Sequence, residues 1–343
     1  MNLPFALHQI QLGNAAFEGL NNCYVLGTEP DAPLTLVDTG LGRSRTIDEL
    51  RAGLAELDAE FADVDRILLT HWHPDHAGLA REIQADADCP VYVHDADAGI
   101  VAGRVDPQGP GDETFREQIT EWGMPPAERE ELLSFLSANT DDNPDPTVTT
   151  FEAGERFDLG SVTLEAVGLP GHTAGLTGFA FDGADGAELF AGDALLPYYT
   201  PNVGGADVRV DAPLAKYLTT LADIVDRGYT RAWPGHRGAI VDPPGRAADI
   251  IDHHRQRTAR VVDALAAGPA TPWAVSAALF GGLRNIHILH GPGEAFAHLD
   301  HLHDAGVVER SGREYELVQP DADLDALFPA VTDRLRDGYE PVH

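Results

Sequence analysis

Lysine is nearly absent from this chain of 343 residues. Lys216 is the only one among 23 basic residues, which face 56 Asp and Glu for a formal net charge of −33. That balance excludes a protein that grips nucleic acid by bulk positive charge. Cysteine is equally scarce, and Cys23 and Cys89 alone build neither a disulfide framework nor a thiolate metal site. No run approaches the ~18 apolar residues of a membrane span. The opening Met1-Asn-Leu-Pro-Phe-Ala-Leu-His8 has neither the basic start nor the apolar stretch of a secretory signal. These absences predict a cytoplasmic protein in a reducing compartment, without membrane association. Missing lysine combined with abundant Asp suits molar salt, where a Debye length of ~3 Å screens carboxylate self-repulsion. The composition therefore reads as that of a salt-in halophile.

What is present is enough apolar residue, 43%, to bury a real core, and the length suits about two domains. The 35 Gly and 24 Pro favour many turns and a mixed α/β architecture over a helical bundle. Short apolar strands are predicted at Asn22–Leu26, Leu34–Val37, Arg66–Thr70 and Val91–His94, with a surface helix over 44–59 carrying Ile47, Leu50, Leu54 and Leu57 at helical spacing. A polar stretch over about 95–147 reads as a helical insertion ending in the Asp141–Pro146 loop. Strand signals return over 162–168, 177–182 and 188–191, followed by a helix over 214–227. Two β/α halves imply a sheet sandwich flanked by helices.

Chemistry concentrates at Thr70-His-Trp-His-Pro-Asp-His-Ala-Gly78, where three imidazoles and a carboxylate fall within six residues directly after a strand. Pro74 and Gly78 suit the sharp turn that lets such close neighbours converge on metal. Three Gly-containing turns each add one candidate ligand: His172 in Pro-Gly-His, Asp193 in Ala-Gly-Asp and His236 in Pro-Gly-His. Imidazole and carboxylate without thiolate suit Zn²⁺, with Fe²⁺ or Mn²⁺ as alternatives, and the number of ligands fits two divalent ions. A structural zinc site is closed by four ligands, usually including Cys, so this set reads as an open, catalytic one.

Together His71-x-His73-x-Asp75-His76, His172, Asp193 and His236, with the strand-end Asp38, resemble the motif set of the metallo-β-lactamase superfamily over about residues 1–258. The resemblance implies a four-layer αβ/βα sandwich with the site at one edge. It implies His71, His73 and His172 on one ion, Asp75, His76 and His236 on the other, and Asp193 between them. Asp38 matches the family's carboxylate that orients the ligand loop, and Asp75 doubles as ligand and orienter of the attacking hydroxide. Two ions ~3.5–4 Å apart share a hydroxide of lowered pKa and polarise the oxygen of the group attacked, without a Ser or Cys nucleophile. His73 argues against the flavodiiron branch, whose pattern has Glu there, whereas the mononuclear iron persulfide dioxygenases share the histidine cluster.

Past Asp252 the pattern becomes a long helix over 254–267, two shorter helices and a small hairpin. This plan resembles the winged-helix domain appended to the lactamase-like protein 2 branch, here over 259–319, with 320–343 as an acidic tail whose Leu324, Leu327, Phe328, Val331 and Leu335 share one helical face. That branch includes endoribonucleases and relatives acting on acyl thioesters, so two classes stand side by side. One is hydrolysis of a small ester or thioester, glyoxalase II-like or acyl thioesterase; the other is endoribonuclease. Between Ala259 and Gln319 there are four Arg against seven Asp and Glu, leaving no basic stripe for a phosphate backbone, which favours the small-molecule substrate. On this reading the module packs on the hydrolase, shapes its mouth or forms a homodimer contact. Tyr198 and Tyr199, shortly after Asp193, and His254 and Arg257 on the long helix are the expected substrate contacts. The remaining histidines, His287, His290, His298, His301 and His303, read as packing or solvent positions rather than a further metal site.

Overall fold

A computed structural model of the chain describes residues 5–14, 19–137 and 145–330. Its first sheet has six strands in sequential order: β1 Leu7–Leu12, β2 Asn21–Leu26, β3 Thr35–Val37, β4 Arg66–Leu68, β5 Val91–His94 and β6 Val148–Phe151. The first three pair antiparallel, and β3 to β6 run parallel. Parallel neighbours need crossovers, which here are α1 (Ser44–Ala55), α2 and α3 (Pro74–Ala77 and Ala80–Ala87), and α4 to α6 (Asp95–Val101, Glu113–Glu121, Pro126–Ser137). The second sheet has the order β11-β10-β9-β8-β7, built from β7 Arg156–Asp158, β8 Thr163–Gly168, β9 Thr177–Asp182, β10 Ala187–Gly192 and β11 Arg231–Pro234. Its one parallel pair, β10 with β11, is crossed by α7 (Pro213–Arg227).

Period-two alternation sorts the strand side chains into layers. Tyr24, Leu26, Val37 and Leu68 of the first sheet meet Phe179, Phe181, Phe190 and Trp233 of the second in an aromatic-rich core between the sheets. Their alternating neighbours Cys23, Val25, Leu36 and Ile67 face outward to Leu50 and Leu54 of α1 and Ile83 of α3. On the far side Leu189, Ala191 and Ala232 face Leu214, Tyr217 and Leu221 of α7 and Ile250 and Ile251 of the next helix. The order of layers is helix, sheet, sheet, helix, as the two β/α halves implied.

The C-terminal third differs in detail from the sequence reading. Its long helix, α8, spans Pro243–Leu265 and not 254–267. Asp242 caps it through its side chain, and two prolines occupy the first turn, where their missing N–H groups are not needed. The helix therefore runs without a break across residue 258. Then follow α9 (Pro272–Phe280), α10 (His287–Asp304) and a hairpin of β12 (Val308–Ser311) and β13 (Glu314–Leu317). These elements share a core through Val261, Val275, Leu299, Leu302, Val308 and Tyr315. Two further cores tie them to the rest: Phe115, Ile119, Trp122 and Leu132 of the insertion pack on Ile288 and Leu289, and Ala297 joins the α7 layer. The expected apolar helix in the tail is, over Leu324–Leu327, a single 3-10 turn that leads into buried Phe328; Val331 and Leu335 lie outside the described residues, as does most of the Asp141–Pro146 loop. Among the described residues no helix is long and apolar enough to cross a membrane.

Candidate metal centre

The site is assembled at the strand ends of both sheets. Parallel pairing of β3 with β4 sets Asp38, just past β3, beside Thr70, just past β4. Asp38 takes a positive φ of 60°, and its carboxylate accepts from the Thr70 backbone N–H and hydroxyl (both 2.8 Å) and from His76 Nδ1 (2.9 Å). One carboxylate thus ties the start of the histidine loop to its end. Thr39 adds a second tie, donating from both its N–H and its hydroxyl to the His76 carbonyl. The turn needs Gly78, since a Cβ there would lie 2.3 Å from the Pro74 carbonyl oxygen.

All seven expected ligands are buried or nearly so and face one another. His71 Nε2 lies 3.0 Å from His73 Nδ1, which lies 3.1 Å from His172 Nε2. Asp193 faces both sides of the cluster: one oxygen is 3.5 Å from His76 Nε2, the other 3.4 Å from His236 Nε2 and 3.7 Å from His172 Nε2. Asp75 lies 3.5 Å from His236 Nε2. Three trios hold ligand atoms within 4.8 Å of one another: His71, His73 and His172; His71, His76 and Asp193; and Asp75, His76 and His236. Gly235 makes room for this convergence, because a Cβ on it would stand 2.3 Å from Asp193 Oδ1 and 2.5 Å from His76 Cε1.

The outer nitrogens fix which ring atom faces inward. His71 Nδ1 donates to the Thr70 hydroxyl (3.0 Å), His73 Nε2 to the Ala206 carbonyl (3.0 Å) and His172 Nδ1 to the Asn202 carbonyl (2.8 Å). Each bond leaves a lone pair aimed into the cluster. Burial lowers the pKa of all three rings, His73 to about 4 with His172 contributing. For His76 and His236 burial acts the same way, but Asp193 and Asp75, joined for His76 by Asp38, outweigh it and raise both. Burial works to raise Asp193, yet His236 and His76 hold it well below the usual carboxylate range.

This donor set fits cations. His76 Nε2 and Asp193 Oδ1 are buried without a hydrogen-bond partner among the described residues, a costly arrangement unless something positive sits between them. The groups suffice to hold two metal ions, and every donor is nitrogen or oxygen.

The expected substrate contacts divide. Tyr198 and Tyr199 are about half exposed, with the Arg237 guanidinium over both rings at 5.5 and 5.4 Å. They line a cleft of about 530 Å³ with Arg246, His253, Gln256 and Arg257, and none of the seven candidate ligands lines it. His254 is not a cleft residue: it is fully buried, its Nδ1 3.3 Å from His298 Nε2, with its neighbour His253 facing the cleft instead. The helical register explains the exchange, since consecutive residues point about 100° apart. Sequence reasoning passes over Asn14 and Asn21, which both donate to Asp75 (3.2 Å), and Asn202 and Glu294 behind His172. Only the Gly204-Gly205 pair signals a tight loop there.

Comparison with known proteins agrees with this geometry. Residues 16–236 match the model of the metallo-beta-lactamase superfamily. The chain is 27% identical over 246 residues to the beta-lactamase-like protein 2 homolog of Drosophila melanogaster, covering 70% of this chain and 66% of that protein. It is 26% identical over 253 residues to lactamase-like protein adaB of Aspergillus niger, covering 74% of this chain and 61% of that one, so the match spans under two thirds of the relative's length. Among solved structures, a metallo-beta-lactamase family protein from Thermus thermophilus superposes with a TM-score of 0.74 at 30% identity, over 91% of this chain and 98% of that one. A beta-lactamase domain protein from Burkholderia ambifaria shares the fold with a TM-score of 0.75 at 24% identity, over 91% and 92% of the two chains. With the sandwich, the buried histidine–aspartate cluster and the family match all in place, the chain belongs to the metallo-beta-lactamase superfamily and carries its hydrolase fold.

Proposed function

We propose that this protein is a dinuclear zinc hydrolase of a small ester or thioester. The observation that carries the reading is the convergence of seven His and Asp side chains, all but the part-buried His73 buried, on one edge of the sandwich, with His76 Nε2 and Asp193 Oδ1 facing each other without a hydrogen-bond partner among the described residues. His71, His73 and His172 would hold one ion, Asp75, His76 and His236 the other, and Asp193, which faces both trios, would lie between. Two divalent ions held there would supply Lewis acidity, lowering the pKa of a water and polarising a carbonyl. The chain's own residues keep the site ready: the outer bonds of the three rings fix their tautomers, Asp38 holds the loop, and Asp75 is placed to orient the attacking group. A protein nucleophile is not needed, and Cys23 is no candidate because burial pushes its thiol far up.

A small substrate is favoured over RNA by charge. The module after α8 is acidic, and the cleft beside Tyr198 and Tyr199 sets Arg246 and Arg257 against Asp249 and Asp252. We read residues 259–319 as a winged-helix-like module that supports the hydrolase rather than gripping nucleic acid, in a cytoplasmic protein of a halophile. The test is thiol release from a panel of acyl thioesters, S-lactoylglutathione and short acyl-CoAs included, in molar KCl, with zinc-loaded protein and the His73→Ala variant. Release that depends on His73 is the expected result. Silence across the panel, with cleavage of single-stranded RNA by the same preparation, overturns the substrate class and puts endoribonuclease in its place.

A further inference from the structure

The two carbonyls that orient His73 and His172 belong to one short loop, residues 202–206, and that loop is held from the C-terminal helices. Asn202 Nδ2 donates to the His290 carbonyl and to Glu294 Oε2 (both 3.0 Å), and the Val203 N–H donates to the same oxygen (3.1 Å). Loop and helix touch backbone to backbone: a Cβ on Gly293 would stand 2.2 Å from Gly205 Cα, and one on Gly204 2.5 Å from the Gly293 carbonyl oxygen. Gly204 also has φ +89°, which L side chains rarely adopt. The loop has no slack with which to find another position.

Glu294 is itself fixed from behind. It is 3% exposed, and its Oε1 accepts from Arg257 Nη1, with His298 Nε2 at 3.6 Å and His254 Nδ1 at 3.7 Å. Thr258 and His298 Nδ1 lie 2.7 Å apart behind them. The separations within His254, Glu294 and His298 resemble those of a metal trio, but the Arg257 guanidinium already occupies the carboxylate oxygen on that side. A permanent cation is therefore built in, and the trio is a clamp on the carboxylate rather than a further metal site.

We infer that Glu294 is a positioning residue for the His71, His73 and His172 half of the metal centre, acting from α10 through the loop 202–206 onto the outer nitrogens of His73 and His172. The inference rests on the dinuclear reading above. It touches no ion and no substrate, so its effect is on how well two of three ligand rings are pre-set. Partners of ligating histidines typically change metal affinity ~10–100-fold when removed, and Glu294 stands one step further back.

The experiment titrates zinc into the full chain against a chromophoric chelator for wild type, Glu294→Gln and Asn202→Ala. Cobalt(II)-loaded samples are followed in parallel by their shifted imidazole N–H resonances. Asn202→Ala leaves no buried charge unpaired and keeps the carbonyl that His172 uses. The expected result is two equivalents in all three proteins, with one weakened about tenfold in both variants and the other unchanged, and with two N–H resonances displaced. Two unweakened equivalents in folded variants overturn the inference, and so does equal loss of both, since the support would then be global. If neither variant folds, the inference is likewise overturned, because Glu294 would be a folding residue. Failure of wild type to take two ions sinks the dinuclear reading instead, which separates the two claims.

Discussion

The two halves of the candidate metal centre use the same residue type to opposite effect. His71, His73 and His172 place their outer nitrogens on a hydroxyl and two carbonyls, all uncharged, and burial keeps the rings neutral. His76 and His236 stand among Asp38, Asp75 and Asp193, which raise their pKa values against burial. The first half is supported from the loop 202–206 and the C-terminal helices. The second is supported from the N-terminal hairpin through Asn14 and Asn21, while Asp38 at the end of β3 serves both, His76 directly and His71 through the Thr70 hydroxyl. What separates a lowered from a raised imidazole pKa among these five histidines is the charge of the neighbours, not burial, which acts on all five.

Asp193 is the side chain that faces both halves, so its removal should have the largest effect. Asp193→Ala is expected to lower turnover by about 10²-fold or more and to reduce both equivalents of bound zinc. His73→Ala should bring a comparable loss of turnover but spare the equivalent held by Asp75, His76 and His236. Elemental analysis of the purified variants beside their hydrolysis rates checks this. Loss of a single equivalent in Asp193→Ala would show that the halves do not share it.

The sequence carries most of this candidate centre because the candidate ligands sit in local motifs at strand ends, where Gly and Pro mark the turns. Thr70–Gly78 alone places four of the seven. The sandwich flanked by helices is legible from the two β/α halves, and its four layers come from the family resemblance. What the sequence does not carry is support arriving from far along the chain. Glu294 lies 91 residues from Val203, and Asn21 lies 54 from Asp75; neither has a local pattern that sets it apart from a solvated polar residue. The sequence reading starts the long helix at 254 and misses its opening turn, where Pro243 and Pro244 follow the capping Asp242 and proline is itself a helix-opening residue. Position on the long helix after the hydrolase region makes His254 look like a substrate contact, and one step of helical rotation puts it in the core and His253 in the cleft.

Proton competition should sharpen the contrast at intermediate size. Rings with raised pKa hold a proton in the metal-free protein, and that proton must leave before Nε2 accepts a cation. Zinc affinity at His76 and His236 should therefore fall as pH decreases toward and below neutrality and rise with increasing pH until their raised pKa values are passed. Burial lowers all three rings of the other half, His73 to about 4, so that half should show the weaker pH dependence between pH 6 and 8. Titration calorimetry at both pH values, in buffers of different ionisation enthalpy, counts the protons released with each equivalent. Equal release from both equivalents would erase the electrostatic difference between the halves.

The smallest expected effect tests whether the two supports are independent. Asn21→Ala removes one of two amides on Asp75 Oδ2, while Asn14 still donates to it. The net worth of such a bond is ~1 kcal/mol, so the second half should weaken roughly fivefold and the first not at all. Glu294→Gln acts on the opposite half through a loop that shares no hydrogen-bond partner with Asn21. Effects of sites without shared partners add, so the double variant should show both weakenings, each on its own equivalent and each of its single-variant size. A double variant in which one loss deepens the other would mean that the rigidity of each half is set through Asp193. The two supports, from opposite ends of the chain, would then be one coupled network.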